Sequence, residues 1–123
     1  MNNDFKEIEI KDFEYERNCA RFILSETPPY EWHSFFEENR RFPRHNMWRI
    51  AEIEGDVVVI KCGIDERETQ FRDLKQDVEY ANNRYSKYIK EEEQRKQIQK
   101  QKLDEERAEK DRIVKEFKEK HSL

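Results

Sequence analysis

Met47-Trp48-Arg49-Ile50-Ala51-Glu52-Ile53-Glu54-Gly55-Asp56-Val57-Val58-Val59-Ile60 is the stretch on which the fold turns. Met47–Ile53 reads as extended, with Trp48 and Ile50 on one face. Glu54-Gly55-Asp56 is a compact turn. Val57–Ile60 is β-branched throughout, and such side chains pack well on a pleated surface, so this is the strand expected to be most buried. Together they predict a hairpin.

Working towards the N-terminus, Glu7-Ile8-Glu9-Ile10-Lys11 alternates strictly and predicts a half-buried strand. Cys19–Leu24 is a second extended run, with the polar residues Glu14–Asn18 as the turn between them. Thr27-Pro28-Pro29 then reads as a helix start, because Thr27 can cap and proline fits the first helical position. Trp32, Phe35, Phe36 and Phe42 fall roughly on one face, with Asn39 as a polar gap. Arg40 and Arg41 suit the last turn, and Pro43 ends the helix.

Towards the C-terminus, Gly63 releases the chain into a helix that Asp65 and Glu68 cap at capping-box spacing. No Gly or Pro follows. Phe71, Leu74, Val78, Ala81, Tyr85 and Tyr88 are spaced 3-4-3-4-3, an a/d seam. Beyond it the seam positions become Glu, Arg, Gln or Lys. Pairs such as Glu91/Arg95, Glu92/Lys96 and Glu106/Lys110 stand at i,i+4 and can support a solvated helix. Ile113, Val114 and Phe117 make a small apolar patch near its end. Unbroken from Asp65 to Lys120, the helix would run on the order of 84 Å. Much of it must project, fold back or pair with another chain.

The reading is therefore an α+β fold in the order β-β-α-β-β-α, a small antiparallel sheet packed by helices, with an overlong charged C-terminal helix. Residues 1–89 form the compact domain, including the start of the last helix. Residues 90–123 are the charged helical extension.

Composition narrows the function. Charged residues make up 44% of the 123 residues and apolar ones 34%, so the core is small for the chain length. The formal charge of −4 lies wholly in residues 1–63, and residues 64–123 are balanced. Neither a polybasic arm nor a dense polyanion is present. The two cysteines, Cys19 and Cys62, form no CxxC pair and are expected as free thiols in a reducing, cytoplasmic setting. The N-terminus has neither the basic region nor the apolar run of a signal peptide.

Catalytic and cofactor motifs are missing. Two glycines exclude a Gly-rich phosphate cradle. No HExxH or paired Cys/His spacing points to a metal, and neither metal nor cofactor is expected. The acid that a restriction-type nuclease core needs two residues before Lys61 is Val59 here. Nothing in the spacing of Cys62, His33 and His45 places a base beside a thiol. The chain is not expected to be an enzyme.

One segment stands out: Arg40-Arg41-Phe42-Pro43-Arg44-His45-Asn46-Met47-Trp48-Arg49. Four arginines, a histidine and two aromatics fall within ten residues. Such a cluster suits a protein interface, where Arg and Trp are enriched, or a phosphate-binding patch with aromatic stacking. The expected function is a non-enzymatic protein-binding module. It would act as a small regulator or inhibitor of a larger protein, in the setting of nucleic-acid handling, mobile elements or host defence. Its expected contacts are Arg40, Arg41, Arg44, His45, Trp48 and Arg49, together with Ile113, Val114 and Phe117 on the long helix. An acidic face of Glu7, Glu9, Asp12, Glu14 and Glu16 could meet a basic groove. The alternatives are a nucleic-acid-binding accessory protein using the arginine segment, and a homodimer or larger homo-oligomer built through the C-terminal helix. No membrane partner is expected.

Overall fold

The computed structural model describes residues 5–123. Strands β1 (Ile10–Glu16) and β2 (Cys19–Leu24) are joined by Arg17 and Asn18, whose φ angles are 52° and 60°. Two positive φ values in a two-residue turn match the twist of the flanking strands. Helix α1 (Tyr30–Asn39) follows, then strands β3 (Ala51–Glu54) and β4 (Val57–Lys61). Gly55 makes their turn at φ 65°, a conformation a side chain would strain. A short 3-10 turn, Ile64–Glu66, leads into helix α2 (Arg67–Lys120). The element order is β-β-α-β-β-α, and the fold is α+β as expected.

The strands pair antiparallel in the order β1-β2-β4-β3, so the two hairpins meet through their inner strands. One face of the sheet carries Ala20, Phe22, Leu24, Val58 and Ile60. These join Trp32 and Phe36 of α1 and Leu74, Val78 and Ala81 of α2 in one buried cluster. The expected seam of α2 thus packs on the sheet as far as Ala81, with Tyr85 at its margin.

Several boundaries differ from expectation for physical reasons. β1 begins at Ile10 rather than Glu7 and runs through the residues expected as turn. Its register with β2 shifts between Ile10 and Asp12, so Lys11 is an extra residue. Such a bulge moves the inward positions from even to odd numbers, from Ile8 and Ile10 to Phe13 and Tyr15. β3 begins at Ala51, because Trp48 and Arg49 are drawn out of the strand by contacts given below. α1 starts after Pro29 and stops at Asn39, short of Pro43. The α2 start is capped through Gly63, whose N–H donates to the Glu66 carboxylate at 3.2 Å, rather than through Asp65 and Glu68.

Asn82 ties the first unit together. Its Oδ1 accepts from the Ile8 N–H at 3.0 Å and from the Trp32 indole N–H at 2.9 Å, and its Nδ2 donates to the Ile8 carbonyl at 2.9 Å. A buried amide thereby satisfies three groups that would otherwise be buried unpaired.

The chain divides into two compact units, one ending at Lys87 and a second, Tyr88–Leu123. In the second, every residue from Gln94 onward is exposed. Its described ion pairs, Glu92 with Arg95 and Glu109 with Arg112, run i,i+3 rather than the expected i,i+4. The helix closes with Ser122 at φ 56°. Ser122 N–H donates to the Glu119 carbonyl and Leu123 N–H to that of Lys118, the pattern of a Schellman motif. Among the described residues no helix is long and apolar enough to cross a membrane.

Candidate functional site

The arginine segment connects α1 to β3 and lies against α2. The face of α2 beside the apolar seam carries Gln70, Asp73 and Asp77, all buried. They recur at three and four residues, so they form one polar ridge. Asp77 is fully buried at its side chain and holds Arg40 at 2.5 Å and also Arg44. Asn39, the polar gap in α1, donates to the same carboxylate at 2.8 Å. The Arg40 side chain is only 6% exposed, and its second amino group donates to the Arg49 carbonyl at 2.7 Å. Burial lowers the Arg40 pKa, because a desolvated guanidinium favours losing its charge. The adjacent Asp77 carboxylate opposes this.

Trp48 packs under this pair. The Arg40 and Arg44 guanidinium carbons lie 4.1 Å and 4.7 Å from its ring centroid. Cation–π contacts of this kind are worth about 0.5–2 kcal/mol, more where water is excluded. They hold Trp48 off the strand register. His45 donates from Nε2 to Asp73 at 2.6 Å, while its Nδ1 accepts the Met47 N–H at 3.1 Å. Arg49 pairs with Glu66 at 3.0 Å. Gln70 Nε2 donates to the Met47 carbonyl at 2.8 Å.

Of the expected contact residues, Arg40, Arg44, His45 and Arg49 are thus brought together and turned towards carboxylates of the same chain, with Trp48 against the first two. Asp77 pairs with Arg40 and Arg44, Asp73 with His45 and Glu66 with Arg49. Arg40, Arg44, His45 and Arg49 thus each have an ion-pair partner inside the fold. Arg41 is exposed, 5.7 Å from the Phe42 ring, and Phe42 is 73% exposed. The carboxylates were legible only as polar helix positions. A spacing of 3 and 4 beside the seam, with short Asp where helices disfavour it, was the available signal.

The five residues of the expected acidic face are all exposed. Glu7 and Glu9 precede β1. Asp12, Glu14 and Glu16 lie in β1, opposite Ile23, Arg21 and Cys19, on the sheet face away from the helices. Ile113, Val114 and Phe117 are 53%, 51% and 57% exposed. The Phe117 ring lies 4.6 Å from that of His121.

The chemistry open to these groups is limited. Both ring nitrogens of His45 are committed within the fold, so neither is placed to take a proton from a substrate. Cys62 is 7% exposed, and burial pushes its thiol pKa up, away from the reactive thiolate. Among the described residues, no group of three or more His, Cys, Asp or Glu side chains is arranged to hold a metal ion. Family models, curated proteins and solved structures were compared with the chain, and none matches.

Proposed function

We propose that this chain is a non-enzymatic protein-binding module that acts by surface contact through the helical segment after Lys87, as a regulator or inhibitor of a larger protein. The observation carrying this reading is the patch of solvent-facing apolar side chains Ile113, Val114 and Phe117, each more than half exposed near the end of the helix. At 3.6 residues per turn they fall within a sector of about 100°, the width of a helix face that packs on something. Burying such a side chain is worth about 1.5–3 kcal/mol, so a partner covering the sector gains several times that. The commitment of His45 and the burial of Cys62 favour contact over turnover. The internal pairing of Arg40, Arg44 and Arg49 favours a protein partner over nucleic acid.

The test is affinity capture from nuclease-treated host extract, with wild type beside the Ile113→Lys/Phe117→Lys variant. A specific protein held by wild type and released by the variant supports the reading. Equal retention by both removes the helical contact. Loss of every partner on nuclease treatment would restore the nucleic-acid alternative. A solution mass that is a multiple of 15.3 kDa, falling to one chain in the variant, would make the partner a second copy.

A further inference from the structure

The helices cover one face of the sheet. The other face has a composition that a solvated sheet face does not need. Antiparallel sheets open to water on one side alternate apolar inward and polar outward. Here the outward positions of the two central strands are Cys19, Arg21 and Ile23 on β2 and Val57, Val59 and Lys61 on β4. Four of these six are apolar.

The register arranges them in rows. Asp12, Ile23, Val57 and Glu54 form one row across the four strands, and Glu14, Arg21, Val59 and Glu52 form the next. The half-buried Ile23, Val57 and Val59 therefore form an apolar patch at the centre of the face, beside Arg21 and between two acidic rails. Asp12, Glu14 and Glu16 make the rail on β1, and Glu52 and Glu54 make the rail on β3. Arg21 and Lys61 are the only basic side chains at these outward strand positions, and Arg21 already leans on Glu14 at 4.0 Å. The face is net acidic. At the β3 rail lies a concavity of about 550 Å³, where Cys19, Ile50 and Val59 meet Glu52 and Glu54, with Arg49 and Lys61 also at its wall. Ile50 is 78% exposed there.

We infer that this open sheet face docks a basic amphipathic helix of a partner protein. The rails are three strand spacings apart, about 14 Å. A helix with its side chains is about 10–12 Å across, so it fits between them. Its apolar stripe would cover Ile23, Val57 and Val59, while Lys or Arg on its flanks reach the two rails. This surface lies in the first unit and shares no residue with the helical contact proposed above, so each stands or falls separately.

The experiment titrates the full chain with a labelled synthetic peptide of about four helical turns, with leucines on one face and lysines on both flanks. A permuted peptide of identical composition but no apolar stripe runs beside it. Binding is read by fluorescence anisotropy and mapped by amide shifts. Expected are shifts on β2 and β4, weaker binding by the permuted peptide, and weakening with added salt. Reversing either rail, by Asp12→Lys/Glu14→Lys or by Glu52→Lys/Glu54→Lys, should weaken binding by about tenfold or more. The same charge change at Glu105→Lys/Glu109→Lys should leave it within about threefold. Sensitivity to one rail only would overturn the spanning geometry, and equal binding by the permuted peptide would overturn the role of the apolar patch. Shifts mapping elsewhere would overturn the site. A dimer of the chain itself, dissociated by the same rail reversals, would give the face to a second copy and overturn the partner.

Discussion

Asp77→Ala is expected to be among the most damaging single changes this fold can suffer. The carboxylate is fully buried and is the shared acceptor of Arg40, Arg44 and Asn39. Removing it strips the Arg40 guanidinium, at 6% side-chain exposure, of the one carboxylate it is hydrogen-bonded to. Breaking one partner of a buried pair is worth about 3–5 kcal/mol. Arg44, at 28%, can turn to solvent and adds little. At a urea slope of about 1.5 kcal/mol per molar, a loss of about 4 kcal/mol moves the midpoint down by roughly 2.5 M. Trp32 and Trp48 both lie in the first unit, so tryptophan fluorescence follows this transition without the helical extension. A shift below about 0.5 M would show that the carboxylate is not the counter-charge its geometry makes it. The complementary double variant, Arg40→Met/Asp77→Leu, removes both charges and should recover most of the loss, since an apolar pair of similar volume matches or exceeds a buried ion pair.

Asn82→Ala should lower stability by about 3 kcal/mol, because it leaves the Trp32 indole N–H and both backbone groups of Ile8 unpaired; differential scanning calorimetry would register it as a fall in Tm. Cys62 should resist iodoacetamide in the native chain and react once urea unfolds it, as mass spectrometry of the labelled peptide would show. Because its folded pKa is raised above the ordinary thiol value of 9.0, its contribution to stability is present below that pH and is lost as pH rises through the folded value. Gly55→Ala should destabilise by about 1 kcal/mol in urea unfolding, since φ is 65° there although the space beside it is open. Ile113→Lys/Phe117→Lys should leave the Trp-monitored transition within about 0.5 kcal/mol of wild type, so that lost capture can be read as lost contact.

Much of the architecture is written locally. Val57–Ile60, the glycine at 55 and the absence of Gly or Pro after 63 each act over a few residues, and they place the second hairpin and α2. The bulge at Lys11 was missed, because strict alternation over Glu7–Lys11 suggested a strand that ended there, whereas pairing with β2 carries it on to Glu16. The start of β3 was missed too, because Trp48 stacks under arginines that its own segment does not position. The same holds for the site. The arginines were visible as a cluster, but what they face is set by residues about thirty positions away. Asp73 and Asp77 look like solvent positions until the sheet fixes the rotation of α2. Whether a basic cluster is open or neutralised is a tertiary fact.

The placement of Asn82 bears on how the chain reaches this state. Each hairpin closes over two residues and can form early, since short loops lose little entropy. The Asn82–Ile8 bonds span 74 residues, and those from Asp77 to Arg40 and Asn39 span 37 and 38. Docking of α2 is therefore the step that joins the beginning, middle and end of the first unit. Contacts of such separation slow a small domain in proportion to their weight in its topology. The folding rate should then be governed by the arrival of about a turn and a half of helix, Asp77 to Asn82, at two hairpins already made.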